Sequence, residues 1–103
     1  MAAYDPYYSY SGNAPDAYGA GITFAKRTKG VDVMLWGNSV YISASYSTDT
    51  DEWEGDIELG VDADGVGVHQ LPLACRMIRI KNKTAGQTAR YLITGFVMLT
   101  DYM

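Results

Sequence analysis

The chain is poor in histidine and cysteine, two residue types that many catalytic and metal sites use. Its 103 residues include one histidine, His69, and one cysteine, Cys75. A single cysteine excludes an internal disulfide framework, and we expect its thiol to be buried as a small apolar group. His69 and Cys75 are separated by Pro72, and no local geometry makes them a nucleophile and its base. We predict that the protein is not an enzyme and holds no cofactor.

Long apolar runs and an excess of positive charge are also missing. No stretch approaches the roughly 20 apolar residues of a membrane-spanning helix, and the first residues lack the basic start and apolar run of a signal peptide. The net charge of −4 argues against nucleic acid as the main partner, because phosphate binding needs a basic surface. We therefore expect synthesis in the cytoplasm and neither a membrane nor a nucleic acid as partner.

Helical periodicity is absent, whereas alternation of apolar and polar residues recurs after residue 21. The pattern predicts an all-β fold, a small antiparallel β-sandwich or β-barrel of about seven strands formed by residues 22–103. Residues 1–21 are predicted to be an extended, tyrosine-rich N-terminal arm. The predicted strands are Ile22–Arg27, Val31–Trp36, Ser39–Tyr46, Glu52–Asp62, Val66–Leu71, Arg76–Asn82 and Ala89–Leu99.

Turn residues stand between several of these strands. Gly37 and Asn38 tolerate positive φ, so the sequence predicts a hairpin over residues 31–46. Asp64-Gly65 offers a second turn, and residues 83–86 form a third, longer connection. Pro72 predicts a sheet edge, a bulge or a crossing between sheets.

The arm holds five of the nine tyrosines of the chain. A tyrosine ring brings a large contact area with few rotatable bonds, and its hydroxyl finds partners in a partly wet interface. We predict that the arm lies on a surface of its own chain or of a neighbour, and that these tyrosines anchor the protein to a neighbouring subunit: Tyr4, Tyr7, Tyr8, Tyr10 and Tyr18. On this hypothesis, deletion of residues 2–21 leaves a folded body that no longer assembles.

The last predicted strand is apolar on both faces, with Ile93 and Val97 on one face and Leu92 and Phe96 on the other. Such a strand needs cover on both sides. A central position in a sandwich, with a loop over the outer face, and a contact between subunits explain the pattern equally well.

Charge is segregated along the chain, with acids and no base over residues 49–64 and bases and no acid over residues 76–90. Alternation places the carboxylates on one strand face and the basic side chains on another. The two faces pair either as neighbours in one sheet, which is the commoner outcome, or between subunits, where they would set register and specificity. The predicted charge-register residues are Glu52, Glu54, Asp56, Glu58, Arg79, Lys81 and Lys83.

Two further roles are considered, one for the carboxylates and one for the two tryptophans. The clustered carboxylates supply oxygen ligands suited to Ca²⁺, although they do not complete an EF-hand loop. We predict a solvated acidic face rather than a metal site, because exposed strand faces are usually charged. Trp36 and Trp53 are candidates for stacking on sugar rings. The alternation places Trp53 on the same face as Ile57 and Leu59, which favours a core or interface position.

The stretch "LPLACRMIRIKNKTAGQTARYLITGFVML" at residues 71–99 resembles the small all-β structural proteins of tailed bacteriophage virions. The resemblance lies in a basic-faced strand ending in Ile-Lys-Asn, a Thr/Gly loop, and a tyrosine-containing strand that leads to Gly-Phe. It implies a capsid decoration, cement or head-tail accessory protein located in the virion. The implied partners are copies of itself, as a homo-oligomer with a trimer favoured, and a major capsid or other virion protein. The alternative function is a carbohydrate- or receptor-binding module of a fibre or spike.

Overall fold

A computed structural model of the protein describes residues 7–48 and 52–97, and every regular element in these residues is a β-strand. Two four-stranded antiparallel sheets form a sandwich: sheet A has the order β1-β8-β3-β6, and sheet B has the order β2-β7-β4-β5. The predicted all-β sandwich is confirmed. The strands are β1 (Tyr7–Asn13), β2 (Ile22–Thr23), β3 (Thr28–Trp36), β4 (Val40–Ser45), β5 (Glu54–Leu59), β6 (Val66–Leu71), β7 (Met77–Asn82) and β8 (Arg90–Val97).

The eighth strand comes from the predicted arm. Residues 7–13 form β1, which pairs with β8 along its whole length, from Tyr7 opposite Phe96 to Asn13 opposite Arg90. β8 is therefore a central strand between β1 and β3, which is one of the two explanations of its apolar faces. Tyr4, Met98 and Leu99 lie outside the described residues.

The core fills the space between the sheets with alternate side chains of their strands. Val31, Val33 and Leu35 of β3 face Val40 and Ile42 of β4, and all five are fully buried. Period-two alternation makes this possible, because each strand sends its apolar set to one face. The remaining large, fully buried apolar side chains are those of Phe24, Ile78, Ile93 and Val97.

The predicted hairpin over residues 31–46 is wrong, because β3 belongs to sheet A and β4 to sheet B. The Gly37-Asn38 turn carries the chain from one sheet to the other. Gly37 has a φ of 111°, and its N–H donates to the carbonyl of Gly65 in a neighbouring connection at 2.7 Å. Pro72 likewise follows β6 where the chain passes from sheet A to sheet B, which is one of its three predicted positions.

The segment between β1 and β2 also crosses between the sheets, and Asn82 at the end of β7 holds it. The Asn82 backbone N–H donates to the carbonyl of Pro15 at 2.7 Å. Its buried side-chain amide donates to Asp16 Oδ1 at 2.8 Å and to the carbonyls of Ala14 and Gln87. Asn82 thus fixes the path by which the N-terminal segment reaches sheet B.

Candidate interaction surfaces

The arm tyrosines that the structure describes make contacts within their own chain. Tyr8 and Tyr10 are half-buried and pack against the core, where the Tyr10 ring meets Phe24 edge-on with 5.8 Å between ring centroids. Tyr18 lies over sheet B, where its hydroxyl donates to Asp56 Oδ1 at 2.8 Å. Tyr7 pairs with Phe96 in the β1–β8 ladder. A contact of these tyrosines with a neighbouring subunit stays a prediction.

The outer face of sheet B carries a stack of cationic and aromatic side chains around Arg79. The Arg79 guanidinium lies 4.3 Å from the ring centroid of Tyr18 and 4.3 Å from that of Trp53. Lys81 approaches the rings of Tyr18, at 4.7 Å, and Tyr41. Such contacts combine electrostatic attraction with burial of the rings. The Tyr18 hydroxyl is tied into this stack, because burial and its hydrogen bond to Asp56 raise its pKa.

Trp53 does not lie on the face of Ile57 and Leu59, as the alternation predicted, but on the opposite face with Arg79. The register between β4 and β5 shifts between Ile42 and Ala44, and Gly55 adopts a φ of 45°. A bulge inserts a residue into one strand, which reverses the face of every side chain beyond it. A glycine within a strand pattern is the signal that could have located this bulge.

The acidic strand β5 and the basic strand β7 lie in one sheet, but they are not neighbours as the first alternative expected, because β4 lies between them. An ion pair joins the two charged sets, between Glu58 of β5 and Lys83, which follows β7. Lys83 Nζ lies 2.7 Å from Glu58 Oε2, and this ion pair raises the pKa of Lys83. Both side chains are close to half exposed, so solvent screens the pair and it contributes little stability. A second role of these charges between subunits stays a prediction.

The remaining charge-register carboxylates are exposed. Glu52 accepts a hydrogen bond from the Ser47 hydroxyl at 2.8 Å, and Glu54 pairs with Ala44 at the bulge. Within residues 7–48 and 52–97, no three His, Cys, Asp or Glu side chains are grouped closely enough to hold a metal ion.

The outer face of sheet A differs from that of sheet B because apolar side chains cross it. Leu92 in β8 pairs with Met34 in β3, and Met34 pairs with Val68 in β6. We call these three residues the apolar row. Val68 is 63% exposed, and Trp36, two residues along β3 from Met34, is 38% exposed. The row is thus a surface on which a protein partner can bury apolar area.

Two depressions lie elsewhere on the sandwich. One, of about 130 Å³, lies between the segment that leads into β2 and β7, and Arg79, Ile80 and Tyr91 contribute to its lining. The other, of about 310 Å³, is polar and lies among the connections that follow β3 and β7, beside Asn38, Lys83 and Gln87. No helix of the described residues is long and apolar enough to cross a membrane.

Comparison of the chain with protein-family models, with curated proteins and with solved structures finds no match.

Proposed function

We propose that the protein is a non-enzymatic structural protein of a virion that acts through protein-protein contacts. The observation that carries the proposal is the apolar row on the outer face of sheet A, where Val68 is 63% exposed. Met34 and Leu92 beside it are partly exposed. Adjacent apolar side chains that reach solvent on a small protein favour a contact surface, because their burial against a partner is favourable. The partners proposed are copies of the chain itself and a major capsid or other virion protein.

The place in a virion rests on the resemblance of residues 71–99 to small structural proteins of tailed bacteriophages. These residues supply β7 and β8, and β8 presents Leu92 of the apolar row. The proposed role is capsid decoration, cement or a head-tail accessory subunit, with a threefold homo-oligomer as the assembly that the resemblance favours.

The arm has a supporting part in this proposal. Because β1 pairs with β8 on the side away from β3, it keeps β8 inside sheet A rather than at its edge. An interior β8 holds Leu92 in line with Met34 and Val68, so that the three side chains form one surface.

A carbohydrate- or receptor-binding module is the second candidate, and the exposure of Trp36 favours it. A partly exposed indole on a flat sheet face can stack against a sugar ring. An arginine of the same chain lies over each indole, but Arg79 is 4.3 Å from the ring centroid of Trp53, whereas Arg90 is 5.9 Å from that of Trp36. If a sugar binds by stacking, Trp36 is therefore the better placed of the two residues.

Light scattering of the purified chain over a range of concentrations tests the proposal. We expect a mass that rises with concentration to a defined oligomer, and no change of tryptophan fluorescence on titration with glycans. A chain that remains a monomer at high concentration and whose Trp36 fluorescence responds to a glycan would contradict the proposal and support the second candidate. The variant Trp36→Phe assigns any such response to this residue.

A further inference from the structure

The outer faces of the two sheets differ in how far side chains of the same chain already cover them. On sheet B, Tyr18 and Trp53 stack on Arg79 and occupy the outer face with side chains of the same chain. On sheet A, Val68 is exposed beside Met34, and Trp36 stays 38% exposed although the Arg90 guanidinium lies 5.9 Å from its ring centroid. Tyr46, which follows β4 of sheet B, is 58% exposed, but the Arg27 guanidinium lies 4.0 Å from its ring centroid. Val68 of sheet A is the most exposed of the large apolar side chains described, so a partner that buries apolar area finds it there.

Two charged side chains flank the apolar row. The row runs across the strands, and one charge lies on either side of it in the direction of the strands. Asp32 of β3 pairs with Thr94 on one side, and Arg90 of β8 pairs with Trp36 on the other side. Asp32 and Arg90 thus lie on neighbouring strands, four residues apart along the strand direction. Strand geometry makes this separation about 14 Å, which is too far for an ion pair within the chain.

We propose that the outer face of sheet A binds a second copy of this chain about a twofold axis that runs along the apolar row. A face that meets its own copy does so about a twofold axis, and packed sheets keep their strands within about 30° of each other. Rotation about this axis reverses the strand direction of the second copy and exchanges the two sides of the row. Asp32 of each copy therefore comes to lie one strand away from Arg90 of the other copy. Two such charge pairs form, and Met34 faces Met34 between them.

The other face-to-face arrangement, with the axis parallel to the strands, leaves both charges without an opposite charge in the other copy. Wherever this axis lies across the strands, each acid stays about 14 Å along the strands from the base of the other copy. Charge complementarity therefore selects the axis along the row, because complementary charges fix the register of a contact. The contact gives an even number of copies: two, or six where the proposed threefold contact also forms.

The inference rests on the proposed function and names the surface by which copies meet. Sedimentation equilibrium of the full chain tests it with the variants Asp32→Arg and Arg90→Asp, alone and combined. Each single variant places like charges together across the contact, and we expect its dimer dissociation constant to rise at least about tenfold. The double variant restores opposite charges in exchanged positions, and its affinity should return to near that of the wild type.

Matched controls carry the same kinds of charge change on sheet B. Glu58→Lys and Lys83→Glu break the exposed ion pair of that face, and neither should change the dissociation constant. Val68→Lys should abolish the dimer, because it places a charge in the apolar row. All of these changes lie on the surface, so we expect each variant to fold. Circular dichroism and thermal unfolding check this.

Oxidative cross-linking tests the axis directly. Met34→Cys should form a disulfide-linked dimer, because row residues of β3 face their own copies. Gln70→Cys should not form one, because the twofold axis places residue 70 of the two copies about 14 Å apart along the strands. A wild-type chain that is monomeric at all concentrations would contradict both this inference and the proposed self-assembly. An oligomer that Val68→Lys and the charge variants leave unchanged would overturn this inference alone.

Discussion

Single residues in this sandwich show how closely its two sheets approach each other. Phe24, fully buried between the sheets, places its ring against Gly95 of β8 and against the edge of Tyr10. A Cβ at Gly95 would lie 2.6 Å from the nearest carbon of the Phe24 ring. The glycine is therefore required by packing rather than by backbone conformation.

We expect Gly95→Ala to lower the free energy of unfolding by roughly 1 to 3 kcal/mol, the usual cost of overpacking a filled core. Urea denaturation followed by tryptophan fluorescence measures this change. Gly19→Ala is the matched control, because nothing lies within 4 Å of a Cβ at that position. Equal stability of the two variants would show that the core yields to Phe24 without cost.

Asp16 connects the N-terminal segment to the β7–β8 connection and makes stability depend on pH. Its carboxylate accepts hydrogen bonds from the Asn82 side chain and from the backbone N–H of Gly86, which lower its pKa. A carboxyl whose pKa is lowered on folding stabilises the fold above its unfolded pKa, near 3.9 for aspartate. That contribution is lost as the pH falls through the lower, folded pKa.

We therefore expect Asp16→Ala to be less stable than the wild type at pH 7, and expect this difference to shrink at acid pH. Urea denaturation at pH 7 and at about pH 2.5 gives the two differences. A difference that stays constant down to the lower pH would show that the carboxylate charge has no part in holding the segment.

At the scale of elements, β1 decides what the N-terminal segment does. Sequence patterning separated residues 1–21 from the body because they are rich in Tyr and Gly, lack regular alternation and include Pro6 and Pro15. The structure makes residues 7–13 an edge strand of sheet A and buries Ala14. The tyrosines Tyr8 and Tyr10 then act as core residues on one face of that strand.

Deletion of residues 2–21 is consequently expected to destabilise the body, contrary to the expectation from sequence that the body folds without them. The deletion exposes the hydrogen-bonding edge of β8 and removes Tyr10 from Phe24. Thermal unfolding by circular dichroism should show a transition lowered by roughly 10 °C or more, or no cooperative transition. Deletion of residues 2–6 alone, which leaves β1 in place, provides the control. An unchanged transition after the longer deletion would support the original expectation.

At the scale of the whole molecule, the two sheets together enclose Cys75, which carries the single thiol of the chain. Its exposed fraction is 2%. Burial raises the pKa of the thiol, although a hydrogen bond with Thr28 acts in the opposite direction. A buried thiol of raised pKa reacts with disulfide reagents only when the sandwich opens.

Labelling of native Cys75 with a disulfide reagent should therefore be slower than labelling of the unfolded chain by a factor of about 1,000 or more. Absorbance of the released thiol gives both rates. Gly95→Ala should speed the reaction, because it lowers the free energy of global opening. Labelling of the native protein at the rate of the unfolded chain would show that the sheets separate locally near Cys75.

The sequence alone determined the fold class, and in β6 (Val66–Leu71) even the bounds of the strand. Alternation predicts which side chains of one strand share a face wherever no bulge interrupts the strand, because the side-chain period of a strand is two. The turn at Gly37-Asn38 could not be assigned in this way, since the same residues close a hairpin or carry a chain between sheets. Only pairing with distant strands distinguishes the two outcomes.

Tertiary structure also decided which residues form the candidate surfaces, because those residues are brought together by pairing of distant strands. The bulge at Gly55 moved Trp53 to the face of Arg79, and Tyr18 reached Asp56 from far along the chain. Leu92, Met34 and Val68 come from three strands that sequence separates widely and sheet A places side by side. Local alternation determines what each strand can present, but the ladder of long-range hydrogen bonds determines which strands present it together.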